Sequence, residues 1–182
     1  MRTAILIYFL LIAIASAAKQ KAPVGKVKDA AAFANVKSYC VDASELSPPE
    51  AYDVGAFVSV EGKPGHLLSK LPWKLLPDCR ESDPDAVIKL EFPRLRVVSV
   101  TPSPPPGTAG PDDQTPELFH IVAILKVLDA GSLRPLYQVQ ADPLATGSQE
   151  NEPQPVLRHN AMYGAFWTLS QDVKSISRRQ GP

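Results

Sequence analysis

A stripe near the C-terminal end constrains the fold of this chain more than any other feature. From Val156 onward, Leu157, Ala161, Ala165, Leu169, Val173 and Ile176 recur at spacings of four and three, and Met162 and Phe166 widen the band. Residues so spaced share one face of an α-helix, so the pattern predicts a long amphipathic helix. Lys174, Arg178 and Arg179 stand at its C-terminal end, where the helix dipole favours positive charge. An apolar face of that length needs a broad partner surface, and the segments upstream read as the strands that provide it.

Between Asp85 and Val100, Ile88, Leu90 and Phe92 alternate with Lys89 and Glu91, the pattern of a strand with one dry and one wet face. Pro93 shifts the phase onto Leu95 and Val97, which predicts a bulge or bend at a sheet edge. His120 to Leu128 is apolar on both parities except at Lys126, as in a central strand buried on both faces. A turn at Asp129–Ser132 and the alternation Leu136–Ala141 complete a β-hairpin with a loop of about seven residues.

The N-terminal half is less regular. Lys19–Ala32 reads as a loose lead-in, and Phe33–Val41 has strand composition and is the expected first strand. Ser47-Pro48-Pro49-Glu50 combines a cap, prolines suited to a first turn and a capping-box glutamate, so a helix follows through Val54, Phe57 and Val58 and ends at Gly62. A strand at Phe57–Val60 is the competing reading. His66–Leu76 is interrupted by Pro72 and reads as two short turns or a kinked helix, with Trp73 in the core. The sum is an α+β domain spanning 19–182, with a mostly antiparallel sheet of about four strands and helices packed on one face.

Residues 1–18 have the three parts of an export signal. Met1-Arg2-Thr3 is positive, Ala4–Ile14 is continuously apolar, and Ala15-Ser16-Ala17 are small at the spacing a signal peptidase reads. An uncleaved anchor is the alternative. About fifteen helical residues reach roughly 22 Å, short of the ~30 Å hydrocarbon core, so cleavage is expected and no stable membrane span after it. The expected location is secreted or periplasmic. The full chain carries 19 basic and 19 acidic residues, and losing Arg2 with the leader leaves a net charge of −1. No cationic surplus exists to neutralise phosphates, which argues against nucleic acid as a partner. The 19 prolines are about twice average usage and cluster, above all in a proline-rich loop at 101–117. That loop reads as a surface connection between strands rather than a polyproline ligand.

Cys40 and Cys79 are the only cysteines. In an exported chain they are expected to form a disulfide, the alternative being a reactive thiol. His66, His120 and His159 are isolated, without metal-ligand spacing. Asp78, Glu81, Asp83 and Asp85 crowd one loop but lack the glycine and terminal glutamate of a calcium loop, so a solvated turn before a strand is expected. No nucleophile elbow and no phosphate-cradling glycine loop is present. No catalytic, cofactor-binding or metal residue is therefore assigned.

Three short motifs carry a resemblance. Phe33, Lys37, Ser38 and Tyr39 match an F-x-x-x-K-S-Y strand opening, Pro84-Asp85-Ala86-Val87 matches a PD-plus-apolar strand start, and Asp129, Ser132, Leu136 and Tyr137 match a D-x-x-S…L-[YW] hairpin. Together with the order strand, helical segment, strand, long loop, hairpin, helix, they resemble a group of small bacterial envelope proteins of unknown function, many of them lipoproteins. The lipobox cysteine of that group is absent here. The resemblance implies a bacterial periplasmic or secreted protein, and it carries no functional residue with it. The expected function is a non-catalytic binding or accessory domain of the envelope with an envelope protein as partner. The alternatives are an extracytoplasmic enzyme of unrecognised type, which clustered titratable groups would favour, and a small-ligand carrier, which an apolar cavity would favour.

Overall fold

In a computed structural model, residues 23–60, 63–80, 82–97, 118–142 and 154–179 are described. The expected export signal at 1–18 and the expected proline-rich loop at 101–117 lie outside them. Among the described residues, β1 (Lys26–Val27) precedes helix α1 (Ala30–Ala34), β2 (Ser38–Asp42) and helix α2 (Pro48–Val58). A small ladder follows, β3 (Ser59–Val60) with β4 (Lys63–Pro64), then a 3-10 turn at Leu68–Lys70 and β5 (Lys74–Leu75). Next come β6 (Ala86–Glu91), β7 (Arg94–Val97), β8 (Leu118–Ile121), β9 (Ala123–Asp129), β10 (Pro135–Ala141) and helix α3 (Gln154–Arg179).

The main sheet has six strands in the order β1-β10-β9-β6-β2-β5. The β1–β10, β10–β9 and β9–β6 pairs are antiparallel, whereas β6–β2 and β2–β5 are parallel. This corrects the expectation of a mostly antiparallel sheet of about four strands: the fold is α+β with a mixed sheet. The two extra strands, β1 and β5, have two residues each, too short to show an alternation. The parallel pairing of β2 was equally hidden, because the direction of a strand reached through a long crossover leaves no mark on its own composition.

Local chemistry explains the other departures. Asp29 Oδ1 accepts the Ala32 N–H at 3.0 Å, so the Ala-rich run after it becomes α1 rather than lead-in, and Phe33 packs from a helix instead of a strand. The helix at α2 forms as expected, with the Ser47/Glu50 capping box in place. It stops at Val58, and the competing strand is realised just beyond it as β3. Pro93 does more than bend its strand. The chain leaves the main sheet there, and among the described residues β7 pairs with β8 in a separate two-stranded ladder. The expected strand at 120–128 likewise divides at Val122. Its longer part, β9, is central between β6 and β10, but buried and half-buried residues alternate along it.

One parity of the strands supplies the core. Tyr39, Ala86, Ile88, Leu90, Leu125, Val127, Tyr137, Val139 and Ala141 form a single apolar cluster with Phe33 of α1, Val54 and Phe57 of α2, and Met162, Ala165, Phe166, Leu169 and Val173 of α3. Trp73 closes it beside Phe33 and Tyr39, with ring centroids 5.3 and 6.0 Å away. The opposite parity carries charge. Lys89 and Lys126 stand directly across from one another in β6 and β9, a repulsive register. Each is neutralised by carboxylates, Lys89 by Glu45 at 2.5 Å and Asp42 at 3.5 Å and Lys126 by Glu91.

Phe166 is fully buried, 5.3 Å from Phe57 across the α2–α3 contact. Phe166→Ala removes a ring from the centre of that core and is expected to cost about 3–5 kcal/mol. A denaturant-unfolding midpoint measured for both proteins checks this.

Candidate functional site

The two cysteines meet. Cys40 lies on β2, on the parity opposite Tyr39, and Cys79 follows β5; their Cα atoms are 5.3 Å apart, within bridging range, and a disulfide closes a sequence separation of 39. Neither residue is then available as a nucleophile, and no free cysteine remains. Loop closure over that distance is worth about 4 kcal/mol in the chain-entropy model. Cys40→Ser/Cys79→Ser is expected to lower stability by a large part of that, and the unreduced, denatured protein to titrate no thiol.

The motif residues of the three strand and hairpin signatures turn out to be one another's partners. At the start of β6, Asp85 Oδ2 accepts the backbone N–H groups of Lys37 and Ser38 at 2.9 and 2.8 Å and the Ser38 hydroxyl at 2.9 Å. In return, the Asp85 N–H donates to Ser38 Oγ at 3.1 Å. A clamp thus locks the first residues of two parallel strands. Asp129 Oδ1 accepts both the N–H and the hydroxyl of Ser132, at 2.8 and 2.6 Å, and closes the β9–β10 turn. The Ala130 N–H reaches the Asp85 carbonyl at 3.1 Å, so clamp and hairpin share one end of the sheet. Leu133 in that turn adopts φ 56°, the left-handed region.

This polar end borders a hollow of about 330 Å³ between Lys28, Asp29, Asp129, Ser132 and Arg134. Its chemistry is that of a brace. The hydrogen bond from the Lys37 N–H, then that from the Ser38 hydroxyl, lowers the pKa of Asp85, and the Ser132 hydroxyl does the same first of all for Asp129. A carboxylate held ionised by several donors is a poor proton acceptor near neutral pH.

The second concavity is of a different kind. Between α2 and α3 a cleft of about 320 Å³ is lined by Asp53, Ala56, Phe57, Val156, His159 and Met162, with Pro155 at its edge. Its floor is apolar, Met162 being fully buried, and the His159 ring sits edge-on to Phe57 at 5.3 Å. Behind Asp53, the buried guanidinium of Arg158 donates through Nε at 2.6 Å and pairs through Nη2 at 2.5 Å. The ion pair joins α2 to α3 over a sequence separation of 105, so nothing in the sequence announced it. Size and lining suit one small apolar group with a polar end.

Of the remaining histidines, His66 is exposed beside the 3-10 turn, and His120 lies on β8. Asp78 accepts the Arg80 N–H at 2.6 Å in a local turn. Among the described residues no three His, Cys, Asp or Glu side chains come together as metal ligands. Nor is any described helix long and apolar enough to cross a membrane.

Fold and site together define an α+β domain with a disulfide-stapled mixed sheet. No protein-family model and no curated protein matches the chain. Among solved structures, it is similar to the PelC dodecamer from Paraburkholderia phytofirmans, at 8% identity and a TM-score of 0.43, covering 79% of this chain and 96% of that one. A single-residue variant of the PelC dodecamer from the same organism aligns at 7% identity and a TM-score of 0.44, over 81% and 97% of the two chains.

The brace carries a pH prediction. The folded-state pKa of Asp85 lies below its unfolded value, so its contribution is present above the unfolded value of about 3.9 and is lost as pH falls through the folded one. Asp85→Asn is expected to lower stability by about 1 kcal/mol at neutral pH. The gap to wild type should close near pH ~2, which urea midpoints at the two pH values measure.

Proposed function

We propose that the protein is an exported, non-catalytic binding or accessory module of the bacterial cell envelope. The observation that carries this reading is the Cys40–Cys79 disulfide, which consumes both cysteines within the fold. Disulfides persist in oxidising compartments, and the signal-like residues 1–18 supply the route to one. The three motifs that resemble small bacterial envelope proteins include the residues of the Ser38–Asp85 clamp and of the Asp129–Ser132 turn.

A second reading, a carrier of a small apolar ligand, is favoured by the cleft between α2 and α3. The two differ in what they need: a carrier fills the cleft, whereas an accessory domain works through its outer surface. The export reading is tested by fractionating a producing cell and measuring the intact mass of the protein. The expected product is extracytoplasmic, disulfide-bonded and begins at Ala18 or Lys19; a full-length chain in the cytosol with reduced thiols overturns it.

A further inference from the structure

The outer arc of α3 is unusual for a helix that packs so much of its circumference into the core. Leu157, Arg158, Ala161, Met162, Ala165, Phe166, Leu169, Ser170 and Val173 are all buried. The narrow arc left to solvent runs through Val156, Asn160, Tyr163, Trp167, Lys174 and Arg178, residues that recur at helical spacing on one side. Its two largest side chains are aromatic and exposed, Tyr163 at 45% and Trp167 at 42%. Their rings are parallel to within 6°, with centroids 6.4 Å apart. Lys70, from the 3-10 turn, holds its ammonium 5.2 Å from the centre of the Trp167 ring.

Charge on this arc has one sign. Lys70 stands over the Trp167 ring, Lys174 and Arg178 follow about two and three turns further along the helix, and the helix from 154 to 179 contains a single carboxylate, Asp172. Asp172 lies on the opposite side, accepting the buried Tyr137 hydroxyl at 2.9 Å. Trp, Tyr and Arg are the residue types that carry most binding energy at protein interfaces. A ring already fixed by a neighbouring cation loses little freedom on binding.

Resting on the reading as a binding module, we infer that this arc docks an acidic segment of a partner protein. An apolar or aromatic side chain of the partner lies on Tyr163 and Trp167, and its carboxylates face Lys174, Arg178 and Lys70. A lipid surface fits less well, because the apolar face that a membrane-lying helix inserts is here spent on the sheet, and Asn160 and Gln171 interrupt what remains outside.

The test uses the protein in its processed form, beginning at Ala18 or Lys19, and a fluorescein-labelled peptide of alternating glutamate and phenylalanine, read by anisotropy. A lysine–phenylalanine peptide and phosphatidylglycerol vesicles serve as comparators. The expected result is saturable binding of the acidic peptide that weakens at about 0.15 M salt. It should fall about tenfold or more in both Trp167→Ala and Lys174→Glu/Arg178→Glu. The charge-reversed variant alters no buried residue, so it keeps the test valid if the tryptophan variant folds poorly. Equal binding of the lysine peptide, undiminished binding by the charge-reversed variant, absence of peptide binding, or binding of vesicles alone overturns the inference. None of these outcomes touches the export reading, which stands or falls on the intact mass and the fractionation.

Discussion

The lodging of β2 between β6 and β5 is the constraint on which the rest of this structure depends. Parallel neighbours cannot be joined by a tight turn, so the register of β2 has to be set by contacts distant in sequence. Three such contacts converge on five residues. The ladder pairs Tyr39–Asp42 with Ala86–Lys89, the Asp85 carboxylate grips the amides at the strand's start, and the disulfide ties Cys40 to the chain beyond β5. Slipping β2 by one residue would turn Tyr39 out of the core and Cys40 into it. The ladder alone tolerates such a slip; the clamp and the bridge forbid it, because each addresses one specific residue.

With β2 so placed, Tyr39 and Trp73 pack together in the core, and α1 lays Phe33 against both Trp73 and Tyr137. Desolvation raises the pKa of both tyrosines, so they remain neutral phenols. Tyr137 satisfies its hydroxyl on Asp172, and the chain crosses directly above that bond at Gly25. A Cβ at that position would stand 2.0 Å from the Tyr137 hydroxyl oxygen and 2.1 Å from Asp172 Oδ2. Only glycine allows the approach that brings β1 onto the edge of β10.

What the sequence made legible follows from range. The α3 helix, the α2 capping box and the β9–β10 hairpin are each specified by residues within a few positions of one another, and all are present. The Pro93 break was legible as a disruption, yet its consequence was not, since the partner of β7 lies beyond the proline-rich loop. Strand β5 has two residues whose place comes from main-chain bonds, the Lys74 N–H to the Lys37 carbonyl and the Leu76 N–H to that of Tyr39. Side-chain pattern holds no trace of such an edge. The disulfide was readable because two cysteines allow one pairing, whereas the cleft rests on Asp53 meeting Arg158, a choice among many carboxylates and cations that only the fold makes.

The distribution of charge over the finished surface is itself an argument about where a partner can bind. On the back of the sheet, Lys89 and Lys126 are each answered by carboxylates of the same chain, so that face presents little net field to a visitor. At the polar end, Asp85 and Asp129 spend their lone pairs on backbone amides and serine hydroxyls. Among the described residues, the outer arc of α3 differs from both: cations stand there beside large exposed rings, and the helix offers no carboxylate on that side to answer them. Tyr163 and Trp167 lie outside the apolar cluster that packs on the opposite side of the helix. A small polar residue at either position would leave less apolar area exposed. Opposite charge around an apolar anchor is the partner chemistry that such an arc would suit.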